Sequence, residues 1–145
     1  MIVTSPAKIN RGFNVLKKRP DGFHEIETFF QFLEWGDQID FNFDANISKV
    51  SCLEIDEKNN LAYRALNLIK ENFKINREVS IKIKKNIPIG SGLGGGSSNA
   101  ATVLMMLNKF WGLNLTKDVL KDLGCSLGSD VAIFIEGKAR KAIGR

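Results

Sequence analysis

The chain has 145 residues, 43% of them hydrophobic and 26% charged, with a formal net charge of +5. That is one ordinary domain's worth of chain, long enough to bury a core, with the composition of a soluble globular protein. No apolar run can span a bilayer and no signal-like leader opens the sequence, so a cytoplasmic protein without a membrane partner is expected; the positive charge suits an anionic ligand, either a nucleotide or nucleic acid.

The first half reads as strands. "KINRGFNVL" places Ile9, Phe13 and Val15 on one side. "RPDGF" follows as a turn, in which Pro20 fixes φ and Gly22 accepts a positive φ. "HEIETFFQFLEW" is a second strand and "WGD" a turn. "QIDFNFD" then alternates Ile39, Phe41 and Phe43 inward with Asp40 and Asn42 outward. "VSCLEI" is a weaker strand.

The period then changes. "NNLAYRALNLIKENF" sets Leu61, Ala65, Leu66, Ile69 and Phe73 on one helical stripe, with Asn59 or Asn60 as N-cap. "EVSIKIKKNI" returns to alternation, Val79, Ile81 and Ile83 against Ser80, Lys82 and Lys84. After a glycine run, "NAATVLMMLNKFWG" reads as a buried helix starting near Ser98 and closed by Gly112. "TKDVLKDLG" is a short helix from the N-cap Thr116 to Gly124, and "VAIFI" a final buried strand opened by Asp130. "EGKARKAIGR" begins another turn or strand. No repeat, low-complexity segment or linker interrupts the chain. The order of elements gives an α+β fold. The two cysteines, Cys52 and Cys125, fit neither a metal spacing nor a redox pair and read as buried reduced thiols. Trp35, Trp111, Met105 and Met106 read as core. Lys82, Lys84 and Lys85, like Lys17, Lys18 and Arg19, read as solvated faces.

The run Gly90–Gly96 holds five glycines between a strand and a helix. A helix N-terminus offers unpaired N–H groups and the positive end of the dipole, and glycines let a ligand approach the main chain, so the arrangement reads as a phosphate cradle. Ser97 and Ser98 could cap the helix, bond a phosphate oxygen or reach a metal. A GxxxxGK[ST] loop is excluded, because Ser97 stands where lysine is required. Gly90, Gly92 and Gly95 fit GxGxxG, but no acidic residue ends a following strand at the proper distance. A dinucleotide-dependent oxidoreductase therefore rests on that motif alone.

"SPAKIN", "RPDGFHE", "IPIGSGLGGGSSNAA" and "LGSDVAIF" occur in that order along the whole chain. Together they resemble the GHMP kinases, whose loop Pro-x-x-x-Gly-Leu-Gly-Ser-Ser-Ala-Ala is matched here with a small insertion. The resemblance implies an α+β fold like domain 2 of ribosomal protein S5, a mixed sheet packed against helices with a left-handed βαβ crossover. It implies transfer of the γ-phosphate of ATP, with Mg²⁺, to an alcohol. "RPDGFHE" and the longer loop imply a cytidine-diphosphate-linked polyol as acceptor, phosphorylated at a tertiary hydroxyl on a route to isoprenoid precursors. By the family pattern Asp130 is the catalytic carboxylate and Lys8 its neighbour. Pro88, Gly90, Ser91, Gly92, Leu93, Gly94, Gly95, Gly96, Ser97 and Ser98 hold the phosphates, with Asn60 near the adenine. Asn10, Phe23 and His24 contact the acceptor, and Ser98 is the candidate Mg²⁺ ligand, with no glutamate found to complete the metal site. Phe23 stands where the family has tyrosine, Arg11 where an apolar residue is usual and Ser129 where alanine is common. Residues 1–145 would be the N-terminal ATP-binding domain, with the family's C-terminal domain absent, a poor enzyme alone and a candidate for homodimer formation through the uncovered face. The rival reading from charge is an RNA-binding module of S5-like fold, controlled by Lys82, Lys84 and Lys85.

Overall fold

The first third of the chain is one long hairpin. The computed structural model describes residues 1–18, 20, 24–137 and 141–144, and within them β1 (Ile2–Lys18) pairs antiparallel with β2 (His24–Asn42) along almost the full length of both. Two strands were expected where β2 runs unbroken, with a turn at "WGD". Gly36 is not a turn residue. It lies opposite Pro6, and a Cβ there would sit 1.9 Å from the Ser5 carbonyl oxygen, so glycine is what lets the backbones approach. Register shifts at Pro6/Lys8, Asn10/Phe13 and Val15/Lys17 bend the hairpin. The "RPDGF" turn falls mostly outside the described residues.

The rest of the chain builds on the second half of β2. β3 (Lys49–Cys52) leads through a short 3₁₀ turn at Glu57–Asn59 into α1 (Leu61–Phe73), which returns to β4 (Ser80–Lys84). β4 lies antiparallel to β2 and parallel to β3, and β5 (Lys141–Gly144) pairs antiparallel with the first half of β2. The sheet is mixed, in the order β1-β2-β4-β3, with β5 off that path. α2 (Gly95–Phe110), α3 (Lys117–Leu127) and α4 (Val131–Glu136) complete the α+β architecture.

Period two and period 3.6 meet in the core. Ile39, Phe41, Val50, Ile81 and Ile83 point from the sheet toward Leu66 and Ile69 of α1 and Leu104 and Leu107 of α2, all buried. Asn60 is the N-cap of α1, its Oδ1 accepting the Ala62 N–H at 2.9 Å, and Thr116 caps α3.

Several local expectations are overturned. "VAIFI" is the helix α4, not a strand: Val131, Phe134 and Ile135 are buried at helical spacing, while Ala132 and Ile133 are only half-buried. Gly124 does not end α3, which runs to Leu127. A Cβ at Gly124 would lie 2.8 Å from Ile135 Cδ1, so this glycine serves the contact between α3 and α4. α2 begins at Gly95, ahead of Ser98. Trp111 is in the core, but Trp35 is 46% exposed. Cys125 is exposed and Cys52 half-buried rather than both buried; burial still pushes the Cys52 thiol above its ordinary value. Arg11 is accommodated because it faces out, donating to Gln31 at 3.0 Å.

Candidate active site

Strand β4 hands the chain to the glycine run through Lys85–Ile87, and that bend is tied to β2. The Asp37 carboxylate accepts the N–H of Asn86 at 2.7 Å and of Ile87 at 2.8 Å through Oδ1, and its Oδ2 pairs with the Lys85 ammonium. Asn86 Nδ2 donates to the Gly36 carbonyl at 2.8 Å. The run then turns on Gly90, Gly92 and Gly94, with φ of +73°, +76° and +75°. The Lys8 N–H donates to the Leu93 carbonyl at 2.9 Å, joining the loop to β1.

Gly94 is the N-cap of α2 and presses against two site elements. A Cβ there would be 2.9 Å from Phe134 Cζ and 3.2 Å from Lys8 Cγ. The Ser98 N–H is the first used within the helix, bonded to the Gly94 carbonyl at 2.8 Å. The N–H groups of Gly95, Gly96 and Ser97 are thus the ones the helix leaves unpaired. These three residues line a cavity of about 360 Å³ together with Pro88, Gly90, Ser91 and Gly92. Nothing lies within 4 Å of a Cβ built on Gly90 or Gly92, so no neighbouring group covers the main chain at those two positions. This is the arrangement that binds phosphate at a helix N-terminus.

Lys8 and Asp130 meet at the edge of this cavity. Lys8 Nζ lies 3.5 Å from Asp130 Oδ2, donates to Asn10 Oδ1 at 3.0 Å and sits 5.0 Å from the Phe30 ring centre. Lys8 lies within β1. Its side chain is 7% exposed, while Asp130, which lines the cavity, is 38% exposed. Asp130 precedes α4 in helical backbone geometry and makes no side-chain cap, so its carboxylate is left for Lys8 and the cavity. An ammonium fixed by burial, beside a carboxylate open to solvent, can orient a hydroxyl and offset charge on a moving phosphoryl group.

Other expected site residues divide. Ser97 lines the cavity, but Ser98 does not. The Ser98 hydroxyl is fully buried 2.8 Å from Ser5 Oγ, which also accepts from Thr102. It links α2 to β1, and a metal-ligand role for it does not follow from this geometry. Among the described residues no three His, Cys, Asp or Glu side chains cluster to hold a metal ion. Asn60 is buried next to Leu61, which lines the cavity; its Nδ2 has no partner among the described residues. Leu93 contributes its carbonyl to β1 rather than a cavity wall. His24 opens β2 opposite Lys18, but its side chain and all of Phe23 lie outside the described residues.

Two residues escaped the sequence reading: Asp37, placed in a supposed turn, and Lys85, read as solvated. Lys85 lines the cavity and its side chain is 6% exposed. The signal was present. Period two puts residue 85 on the face of Ile81 and Ile83, opposite exposed Lys82 and Lys84.

The profile of the GHMP kinases N terminal domain matches residues 60–138, more than half of the chain. The chain belongs to the GHMP kinase family. A GHMP relative from Actinobacillus pleuropneumoniae serotype 5b, named 4-diphosphocytidyl-2-C-methyl-D-erythritol kinase, is 44% identical over 99% of this chain and 52% of its own length. A protein of the same name from Geobacillus sp. is 43% identical over 100% of this chain and 52% of its own. The crystal structure of a 4-(cytidine 5'-diphospho)-2C-methyl-D-erythritol kinase superposes with a TM-score of 0.88 at 36% identity, covering 99% of this chain and 52% of that one. The chain therefore spans about half the length of the relatives it matches. The RNA-binding and oxidoreductase readings find no support in these likenesses. Nor does the fold supply them: α2 is followed by α3, not by the parallel strand a dinucleotide fold needs, and one of the three supposed surface lysines is buried. Among the described residues no helix of this GHMP domain is long and apolar enough to cross a membrane.

Proposed function

We propose that this chain is the N-terminal, ATP-binding domain of a cytoplasmic kinase that phosphorylates the 2-hydroxyl of 4-diphosphocytidyl-2-C-methyl-D-erythritol. The observation that carries the reading is that Asp130, paired with the buried Lys8, lines the same cavity as the first residues of α2. A nucleotide's phosphates fit the second and an acceptor hydroxyl fits the first.

On this reading the N–H groups of Gly95, Gly96 and Ser97 receive the phosphate chain, with Lys85 adding charge at the same wall. The unpaired Nδ2 of Asn60 is a buried donor suited to a ring nitrogen of adenine. Asp130 orients the acceptor hydroxyl and takes its proton late, since the reaction depends chiefly on alignment and charge neutralisation. Lys8, held by Asn10 and by burial, faces the oxygens that gain charge. The scarcity of acidic side chains fits a Mg²⁺ held mainly by phosphate oxygens and water, with Ser97 and Asp130 as the protein groups nearest to hand; bound there it would neutralise phosphate charge. Asn10, Phe23 and His24 are assigned to the cytidine-linked acceptor. The curated relatives are about twice as long as this chain, and the transfer is proposed for the protein at that length.

The test is ADP release by the chain extended to the relatives' length, with and without the polyol, for native and Asp130→Asn proteins. Release should require the polyol and fall by roughly 10²-fold or more in the variant. Release indifferent to either overturns the assignment.

A further inference from the structure

Resting on that nucleotide-binding reading, we propose that Asp37 is a positioning residue, whose carboxylate holds the Lys85 ammonium against the first turn of α2 so that it faces the nucleotide's phosphates. Asp37 is 0% exposed in the second half of β2, and its two oxygens are divided between two tasks. Oδ1 takes the Asn86 and Ile87 N–H groups and so fixes the bend into the glycine run. Oδ2 faces Lys85 Nζ alone among the described residues.

The ammonium's position needs an explanation. A Cβ on Gly95 would lie 3.0 Å from Lys85 Nζ, so the cation touches the first residue of α2. A helix repels positive charge at that end, and burying an ammonium is costly in itself. Lys85 stays there because Asp37 balances it from behind. The side that remains unbalanced, where the cation and the helix dipole add, is the cavity wall, and what fits two coinciding positive fields is a polyanion. Without the carboxylate, the buried ammonium is driven out of that wall toward solvent.

The division of oxygens makes the claim separable from a purely structural role. Asp37→Asn keeps an oxygen for the two amides but turns an NH₂ toward Lys85. Binding of Mg-ATP by calorimetry and of adenosine by NMR titration should be measured for the unaltered chain, Asp37→Asn, Lys85→Met and the double variant. Asp37→Asn and Lys85→Met should each weaken ATP about tenfold and leave adenosine within about twofold. The double variant should be no worse than either single one, because both remove the same contribution. Equal loss of ATP and adenosine, ATP binding that is unchanged or tighter in Asp37→Asn or in Lys85→Met, or additive losses in the double variant would each overturn the proposal. Lys85→Met leaves the grip of Asp37 on the loop amides intact and carries the test should Asp37→Asn fail to fold. Failure of the unaltered chain to bind Mg-ATP defeats the kinase reading itself, and this inference with it.

Discussion

Replacing Gly94 by alanine tests how tightly the glycine loop is held against Lys8 and Phe134. Gly94 and Gly92 have nearly the same backbone, φ of +75° and +76°, so an alanine at either suffers the same left-handed strain, about 1–2 kcal/mol. They differ in what the methyl group meets. At Gly92 it meets nothing within 4 Å; at Gly94 it lands 2.9 Å from the Phe134 ring and 3.2 Å from the Lys8 side chain. Phe134 is a core residue of α4 and Lys8 is buried, so neither can yield cheaply. Overpacking of that kind costs about 1–3 kcal/mol beyond the strain. Gly92→Ala should therefore lose about 1–2 kcal/mol in urea unfolding and Gly94→Ala about 2–5 kcal/mol. Gly94→Ala should also displace Lys8 from Asp130 and reduce phosphoryl transfer in the extended chain more than Gly92→Ala does. Equal stability losses at the two positions would refute the close packing of loop, Lys8 and α4 on which the site rests.

The two loop serines should separate by measurement. Ser98→Ala takes one of its two partners from the buried Ser5 hydroxyl and should cost about 1–3 kcal/mol in urea unfolding, whereas Ser97→Ala should leave stability nearly unchanged and weaken Mg-ATP binding in calorimetry. Asn60→Ala removes the cap of α1, about 1 kcal/mol by the same unfolding assay, and should weaken ATP while sparing binding of inorganic triphosphate. The Ser48 hydroxyl and then Lys70 hold the Glu78 carboxyl below its ordinary value of 4.5. Its folded-state value lies under its unfolded one, so the stabilisation is present above about pH 4.5 and disappears as pH falls through the folded value. Thermal melts across that acid range should show a shallower decline for Glu78→Gln than for the native chain.

Reading the sequence succeeded where one period ruled a whole segment. Leu61 to Phe73 could only be a helix, because one stripe of apolar residues followed an Asn cap, and both features are in the fold. The glycine run was expected to bend the chain between a strand and a helix, and β4, the positive-φ residues Gly90, Gly92 and Gly94 and then α2 follow in that order. It failed where five apolar residues in a row carry no period. "VAIFI" is equally good as strand or helix, and packing against Gly124 decided it. It failed again at Gly36 and Asp37, where turn-forming residues stand inside a strand. The glycine is there for a close backbone approach and the aspartate to receive donors from a segment 49 residues further on. Such long-range reasons leave no local trace. Ser98 was misjudged for the same cause: its partner is 93 residues earlier in the chain.

That last separation bears on when the protein becomes competent during synthesis. The Ser5–Ser98 contact, the tether from Lys8 to the Leu93 carbonyl and the approach of Lys8 to Asp130 all join the opening strand to segments made much later. Contacts so distant along the chain carry a loop-closure cost and form slowly. On the ribosome, the hairpin of β1 and β2 can zip early and then take up β4 and α2, yet Lys8 lacks Asp130 until the start of α4 has emerged from the exit tunnel. Nucleotide capture by nascent chains of increasing length should therefore switch on abruptly rather than build up gradually.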